Sequence, residues 1–558
     1  MSKSAIDQYV QQLPLISLLI LPLFSAIFGL RYVNLKSVIH FQQGTLGSSP
    51  WRAAISMTFL STPLFFAWCI CTRTPSSIFF QLGGSLALVL TTITGSPILH
   101  YLPSPCISKY YQLRFLSNTL RSIMTISECS ILLSTSILLI YLCASFLNSI
   151  TNITIYVYLP LVAYFALFSI IFSGHSTMMN FSFILYILTL ISGIGLFFYY
   201  AIEDIQSIGT VIQLENIRVG ESITSLLIGF IVNFYLLNSS FLYQIYSPMP
   251  TMHKLRLTLT LYGIFQLSIS IFIFLFSSIF LNFLAEHCKF SMSFSSFFSF
   301  TKAIMANKVQ VYAVCASCAL TIFLAIQWIF MSIMTVIWEE NLARKLRNWN
   351  PIQQICSLQF AMLILTTVIV VVTVAAKLAR LPIGVQLPTI LYILFSFFGI
   401  LAGVTICGYY LPFCSSKGAI SAFFITVILT IGNISIFLAN NTPEKLQNSC
   451  ILDDAMNSTI VVTRSLSMDK ILHMAAHIPQ HYQPIISTLL FITICITISF
   501  LTGGQDQMGL DWNLIAFTWA TSIRSPTSKR PFVDSESFRY AQQQNCNPTP
   551  SPDINVYR

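Results

Sequence analysis

SSPWRAAISMTFLSTPLFFAWCICT, residues 48–72, is long enough to cross a bilayer, yet its middle carries Ser56, Thr58, Ser61, Thr62 and Pro63. A proline inside a helix removes a backbone donor and strains the preceding turn. In hydrocarbon the freed carbonyl needs a partner, so such a break persists only where it faces protein, water or a bound ion. The stretch therefore reads as a discontinuous helix at a site, with the other apolar runs as the scaffold that holds and moves it. The structural alternative is a packed span whose hydroxyls bond its own carbonyls at a small-residue helix interface.

The rest of the chain has the same solvent. It is 55% hydrophobic and 8% charged over 558 residues, with mean hydropathy +0.76. Soluble domains carry about 25% charged residues, so this composition excludes a water-facing surface and predicts an all-α polytopic membrane protein. The net charge of +10 does not point to nucleic acid, because Lys and Arg sit in short loops and in the tail. Most of the 14 cysteines lie inside apolar runs (Cys69, Cys71, Cys129, Cys143, Cys315, Cys318, Cys407 and Cys495 among them) and read as packing residues rather than a disulfide framework.

A span needs roughly 20 apolar residues. Thirteen such runs are predicted, at 13–30, 51–72, 77–97, 122–146, 155–173, 181–201, 221–243, 257–284, 310–337, 355–377, 384–410, 417–439 and 484–502. The first lacks the basic leader and small-residue cleavage site of a signal peptide. Basic residues cluster in alternate connections (Arg31, Lys36, Arg52; Lys109, Arg114, Arg121; Lys254, Arg256; Arg344, Lys345, Arg347; Lys417). The positive-inside rule then sets the N-terminus outside and the C-terminus in the cytoplasm; the expected location is the plasma membrane. Residues 1–48 hold the first span and its connection, 49–411 the core, and 412–505 the last two spans with an extracellular loop at 440–483. Residues 506–558, rich in Ser, Pro, Gln and Asn, read as a disordered tail.

The extracellular loop holds glycosylation sequons at Asn440 and Asn457. Cys288 and Cys450 fall on the same face and are candidates for a disulfide. His473, His477 and His481 are spaced for one helix face, but Pro479 interrupts it and no carboxylate completes a zinc set. Glu340 and Arg344 stand four apart, as a surface helix pair would. His175 reads as a membrane-boundary residue. The spans hold almost no acid, which argues against a proton pump with a carboxylate relay. No nucleotide loop, HExxH or GxSxG is present, and the chain reads as a non-enzyme.

Several landmarks are collinear with one family. They are Phe28-Gly29-Leu30-Arg31, Phe59-Leu60-Ser61, Tyr110-Tyr111-Gln112-Leu113-Arg114-Phe115 with Arg121, Asn238 through Ser247, Pro412-Phe413-Cys414-Ser415-Ser416-Lys417-Gly418-Ala419, and Ser499 through Gly504. Together they resemble the sodium:solute symporter family, nearest its monocarboxylate, multivitamin and iodide carriers. The resemblance implies 13 transmembrane helices with LeuT-like inverted five-helix repeats, at about 49–201 and 221–411. It implies a secondary active transporter in the membrane lipid, coupling sodium symport to a small solute such as an organic anion or a vitamin. By the same resemblance Na+ is held by the carbonyls of Met57 and Leu60 with Cys318 and Thr321, and Phe59, Ser61 and Thr62 face the solute.

The chain departs from that pattern in four places. Ile322 stands where a second hydroxyl is expected, Ser182 for the acid after span five, Leu185 for a glutamine, and Gln244 for an arginine after span seven. Sodium, a hard cation, favours several oxygen ligands, so the loss of one weakens the site. These departures leave two alternatives to sodium symport: a sodium-independent uniporter, and a transport-incompetent sensor or interaction protein.

Overall fold

The computed structural model describes residues 38–43, 49–72, 77–102, 104–151, 153–203, 219–286, 309–346, 348–378, 387–440, 482–505 and 512–516. These residues are helical apart from short connections. The order begins α1 (Val38–Gln43), α2 (Pro50–Thr72), α3 (Ser77–Leu90), a π turn (Thr91–Gly95) and α4 (Ser96–Tyr101). Next come α5 (Ser108–Phe115), α6 (Asn118–Thr151), α7 (Ile155–Glu203), α8 (Val219–Leu237) and α9 (Ser240–Tyr246). After α10 (Met252–Glu286) and α11 (Val309–Ile337), a second π turn (Trp338–Leu342) leads into α12 (Ala343–Lys345). The order closes with α13 (Pro351–Leu378), α14 (Leu387–Tyr410), α15 (Ser416–Asn440), α16 (Gln483–Leu501) and a 3-10 turn (Trp512–Leu514).

Among the described residues nine helices are long and apolar enough to cross a bilayer, or up to ten if the bent pair Ser222–Leu237 and Ser240–Tyr246 is one span. The expectation was 13. The run at 13–30 lies outside the described residues, and α2 and α10 do not reach that length and hydropathy within theirs. Spans five and six meet directly at Gly174 (φ +60°) inside α7, not across the loop expected at 174–180. Only glycine adopts that backbone without strain, which lets two helices join with no intervening segment.

Burial sorts the helices into centre and periphery. In α11, 94% of the most apolar stretch is buried, against 33% in α13 and 28% in α15. Outer helices instead carry exposed large apolar residues such as Phe360, Val371 and Ile428, as lipid-facing surfaces do. α11 packs on α2, α6 and α7, and α2 packs on α10. An aromatic series ties α2 to the rest: Trp68 stacks on Phe80 at 5.0 Å, Phe80 on Phe395 at 6.2 Å, and Phe398 meets Tyr235 at 4.8 Å. Such pairs contribute about 0.5–1.5 kcal/mol each beyond area burial.

Part of the expected disordered tail is packed. Leu514, Ile515 and Ala516 are buried, Ala516 N donates to Tyr409 O at 2.9 Å, and Tyr110 Oη donates to Leu514 O at 3.3 Å. The apolar groups of the Trp512-Asn-Leu-Ile-Ala516 run supply the burial that docks it.

The tightest helix contact joins α3 and α8. A Cβ on Gly83 would lie 2.0 Å from Leu226 O, and one on Gly229 would lie 2.0 Å from Phe80 O. Such close backbone approach is how membrane helices gain packing without a hydrophobic drive. Gly83→Ala or Gly229→Ala should therefore lower stability by about 1–3 kcal/mol, read as a drop in thermal midpoint in detergent. Gly432→Ala, whose added methyl would meet nothing within 4 Å, should leave the midpoint unchanged or slightly higher.

Candidate functional site

The expected opening of α2 does not occur: the helix runs unbroken through Pro63. Its hydroxyls account for this. Ser56 Oγ donates to Arg52 O at 2.9 Å, Thr58 Oγ1 to Ala54 O at 3.0 Å, and Thr62 Oγ1 to Thr58 O at 2.6 Å. Ser61 Oγ lies 3.3 Å from Met57 O and 3.1 Å from Thr58 O. These extra donors engage the carbonyls around the proline, while Pro63 itself deprives only the Phe59 carbonyl of its regular donor. The Met57 carbonyl thus already sits beside a hydroxyl.

The break lies instead in span seven, where α8 and α9 meet at 53° across Asn238 and Ser239. Asn238 is its hub: Nδ2 donates to Phe234 O at 2.8 Å and Thr91 Oγ1 at 3.1 Å, and Oδ1 accepts from Tyr409 Oη at 2.9 Å. The π turn beside α3 supplies that threonine, and the hydroxyl of Tyr246 donates back to Leu237 O. At the start of α9, the Glu128 carboxylate accepts from Ser240 N at 2.7 Å and from Ser240 Oγ at 3.1 Å. Glu128 is buried within α6, the exception in spans that hold almost no acid. Its presence was readable: one glutamate stands inside the apolar run 122–146.

The residues expected to bind ion and solute divide between two environments. Met57 and Leu60 are buried in the main core, and Cys318 is half-buried against it. Phe59 belongs to a second, smaller cluster with Ile55, Leu185, Ile269, Leu320 and Leu324. α2 and α11 therefore do face each other here, close to the buried Thr321. Ser61 is the polar contact of this region: its hydroxyl meets Gln266 Oε1 at 2.8 Å, and Tyr262 Oη donates to it at 3.2 Å. Thr62 bonds within its own helix. Tyr262 and Gln266 on α10 were not anticipated from sequence, since a lone glutamine in an apolar run carries no spacing that marks it.

The departures from the family pattern converge on α11. Ser182 Oγ accepts from Trp328 Nε1 at 3.3 Å. Gln244 Nε2 donates to Ser332 Oγ at 2.7 Å and Trp328 O at 3.3 Å, and its Oε1 accepts from Thr335 at 3.0 Å. Leu185 lies in the apolar cluster already named. Ser182 and Gln244 are thus neutral groups joined through one helix. Beside them His175, next to the Gly174 junction, is buried; its ring lies edge-on to Trp328 at 5.2 Å, and neither nitrogen has a hydrogen-bond partner among the described residues. Glu340 pairs with Arg121 at 2.9 Å and accepts from Ser108 at 2.5 Å, joining separate elements; the side chain of Arg344, its expected partner, lies outside the described residues.

Asn440 closes α15, while Cys288, Cys450, Asn457, His473, His477 and His481 lie outside the described residues.

No family model matches the chain, and no curated protein matches it. Solved structures do. The substrate-bound, outward-open structure of a Na+-coupled sialic acid symporter matches 88% of this chain and 99% of that one, with TM-score 0.65 at 12% identity. A manganese transporter from Eremococcus coleocola matches over 83% and 96%, with TM-score 0.45 at 14% identity. The chain is a multi-pass helical membrane protein whose fold is like that of the sialic acid symporter. Likeness at 12% identity defines that fold and leaves the solute to the site itself.

Glu128 gives the first test of the site. Glu128→Gln keeps an acceptor for Ser240 and should preserve folding, whereas Glu128→Ala strands two buried donors and should cost about 1–3 kcal/mol. Size-exclusion profiles and thermal midpoints of the two variants check the difference.

Proposed function

We propose that the chain is a secondary transporter, moving a small solute by alternating access in symport with sodium. The observation that carries this reading is the fold: a bent span seven and the hydroxyl-rich α2 are gathered around α11, as a carrier with a midplane site requires. On this reading α2 to α7 and α8 to α14 form the two inverted repeats. Na+ is held between α2 and α11 by the carbonyls of Met57 and Leu60, with Thr321 opposite and Cys318 beside it. The Phe59 carbonyl, deprived of its donor by Pro63, is a further oxygen for the ion. A hydroxyl that donates to a carbonyl keeps its lone pairs, so the internal bonds of α2 do not spend its oxygens.

The solute is met by Phe59, Ser61 and Thr62, joined by Tyr262 and Gln266 across from Ser61. These are hydroxyl, amide and ring groups. Glu128 already occupies the positive end of α9, where a carboxylate substrate would otherwise gain from the helix dipole. A neutral polyhydroxyl or amide-bearing solute therefore fits this lining better than a bare organic anion.

One observation favours a sodium-independent uniporter. Ile55, Phe59, Leu320 and Leu324 pack together where α2 meets α11, and Ile322 to Ile326 offer no second hydroxyl. Uptake into proteoliposomes with and without a sodium gradient separates the readings. Symport gives accumulation that follows the gradient, a uniporter gives equilibration alone, and the absence of both sinks transport altogether. Under symport, Thr321→Ala should reduce sodium-driven uptake at least tenfold while leaving expression unchanged; undiminished sodium dependence would remove Thr321 from the site. A thermal-shift panel of sugars, amides, vitamins and monocarboxylates tests the solute class.

A further inference from the structure

Three cysteines distant in sequence meet at one end of the bundle. Cys407 lies on α14, Cys414 in the turn before α15, and Cys495 on α16; all are buried, and their sulfurs lie within 4.8 Å of one another. The turn that brings Cys414 inward is fixed by backbone and hydroxyl contacts. Cys414 N donates to Leu411 O at 3.2 Å, and Ser415 N donates to Ser499 Oγ at 3.1 Å.

Beside this cluster sits a buried cation. Arg114 on α5 is fully buried. Its Nε donates to Gly408 O at 2.9 Å, Nη2 to Leu411 O at 2.8 Å, and Nη1 to Gln505 Oε1 at 2.6 Å. Every one of these acceptors is neutral, and no carboxylate forms an ion pair with Arg114 among the described residues. A buried charge is costly unless it is paired. Two of these acceptors tie it to the cluster: Gly408 follows Cys407 in the chain, and Leu411 O also accepts from Cys414 N.

We propose that Cys407, Cys414 and Cys495 form a binding site for one thiophilic divalent cation, Zn2+, as a structural clamp between α14, α15 and α16. Three sulfurs at about 2.3 Å from a shared zinc stand about 3.8–4.0 Å apart, so the observed cluster closes onto an ion by shifts below about 1 Å. Binding releases three protons to water and leaves a tris-thiolate zinc of net charge −1. Arg114 supplies +1, and the buried assembly is neutral. A monovalent soft ion such as Cu+ would leave a net negative charge in the same place. Ser499 Oγ or a water completes the shell. This site stands apart from α2 and α11, and it does not depend on the transport reading.

The test uses the full chain, purified in detergent and reduced with a phosphine. Cadmium chloride is the optical probe, because thiolate-to-cadmium charge transfer absorbs in the ultraviolet. One cadmium per chain, displaced by zinc, is expected. Cys407→Ser, Cys414→Ser and Cys495→Ser should each weaken binding at least tenfold, while Cys129→Ser and Cys356→Ser, remote from the cluster, should change it less than twofold. X-ray absorption on zinc-loaded wild-type protein needs no variant to fold: three sulfurs at about 2.3 Å support the site. A shell of nitrogen and oxygen, no charge-transfer band, or a band indifferent to all three replacements would overturn it.

Discussion

In hydrocarbon a backbone N–H or C=O without a partner costs several kcal/mol, and this one constraint decides where the chain can depart from regular helix. Each departure is matched by side chains that take up the released groups. At Asn238 the amide reaches Phe234, Thr91 and Tyr409 together. At the start of α9, Glu128 and Ser239 meet the first donors. At Gly174 the turn is made by the one residue type whose backbone tolerates it. The break in span seven is thus also a junction between helices distant in sequence.

The same constraint explains why the proline did not open α2. A proline removes one donor, and one orphaned carbonyl is a local matter. Breaking the helix would have freed several groups at once, and the nearby hydroxyls already reach the carbonyls of Arg52, Ala54, Met57 and Thr58 in the helical geometry. Span seven has the opposite balance. It has no proline at its bend, but Asn238, Ser239 and an acid from α6 converge to solvate two new helix ends. Partners, not the breaker residue, decide which helix bends.

Much of the fold was legible because hydropathy in a lipid solvent is nearly a direct reading of length. The runs at 122–146, 355–377 and 417–439 all appear as helices within a few residues of the expected limits. Less legible were features that depend on pairs. Glu128 is one acid in a long apolar run, and its meaning comes from Ser240, 112 positions away. Gln266 and Tyr262 acquire a role only opposite Ser61. The thiols of Cys407 and Cys495 read as apolar filler until the Leu411–Ser415 turn brings Cys414 between them. Composition reports the solvent of a residue; it does not report which helix lies across from it.

The replacements at Ser182 and Gln244 show how such pairing bears on movement. An acid and an arginine in these places would hold the α7, α9 and α11 ends through charge, whose separation in a low dielectric is expensive. Here Trp328, Ser332 and Thr335 hold them through neutral hydrogen bonds. Each such bond contributes about 0.5–1.5 kcal/mol net, and none leaves a bare charge behind when it parts. On the transport reading, this end of the bundle opens against several small and separable terms, with no dependence on neutralising an ion pair. Charge is used instead between Arg121 and Glu340, which join the α6 start to the π turn after α11. On the same reading the ion pair belongs to the frame, and the neutral network to the part that moves.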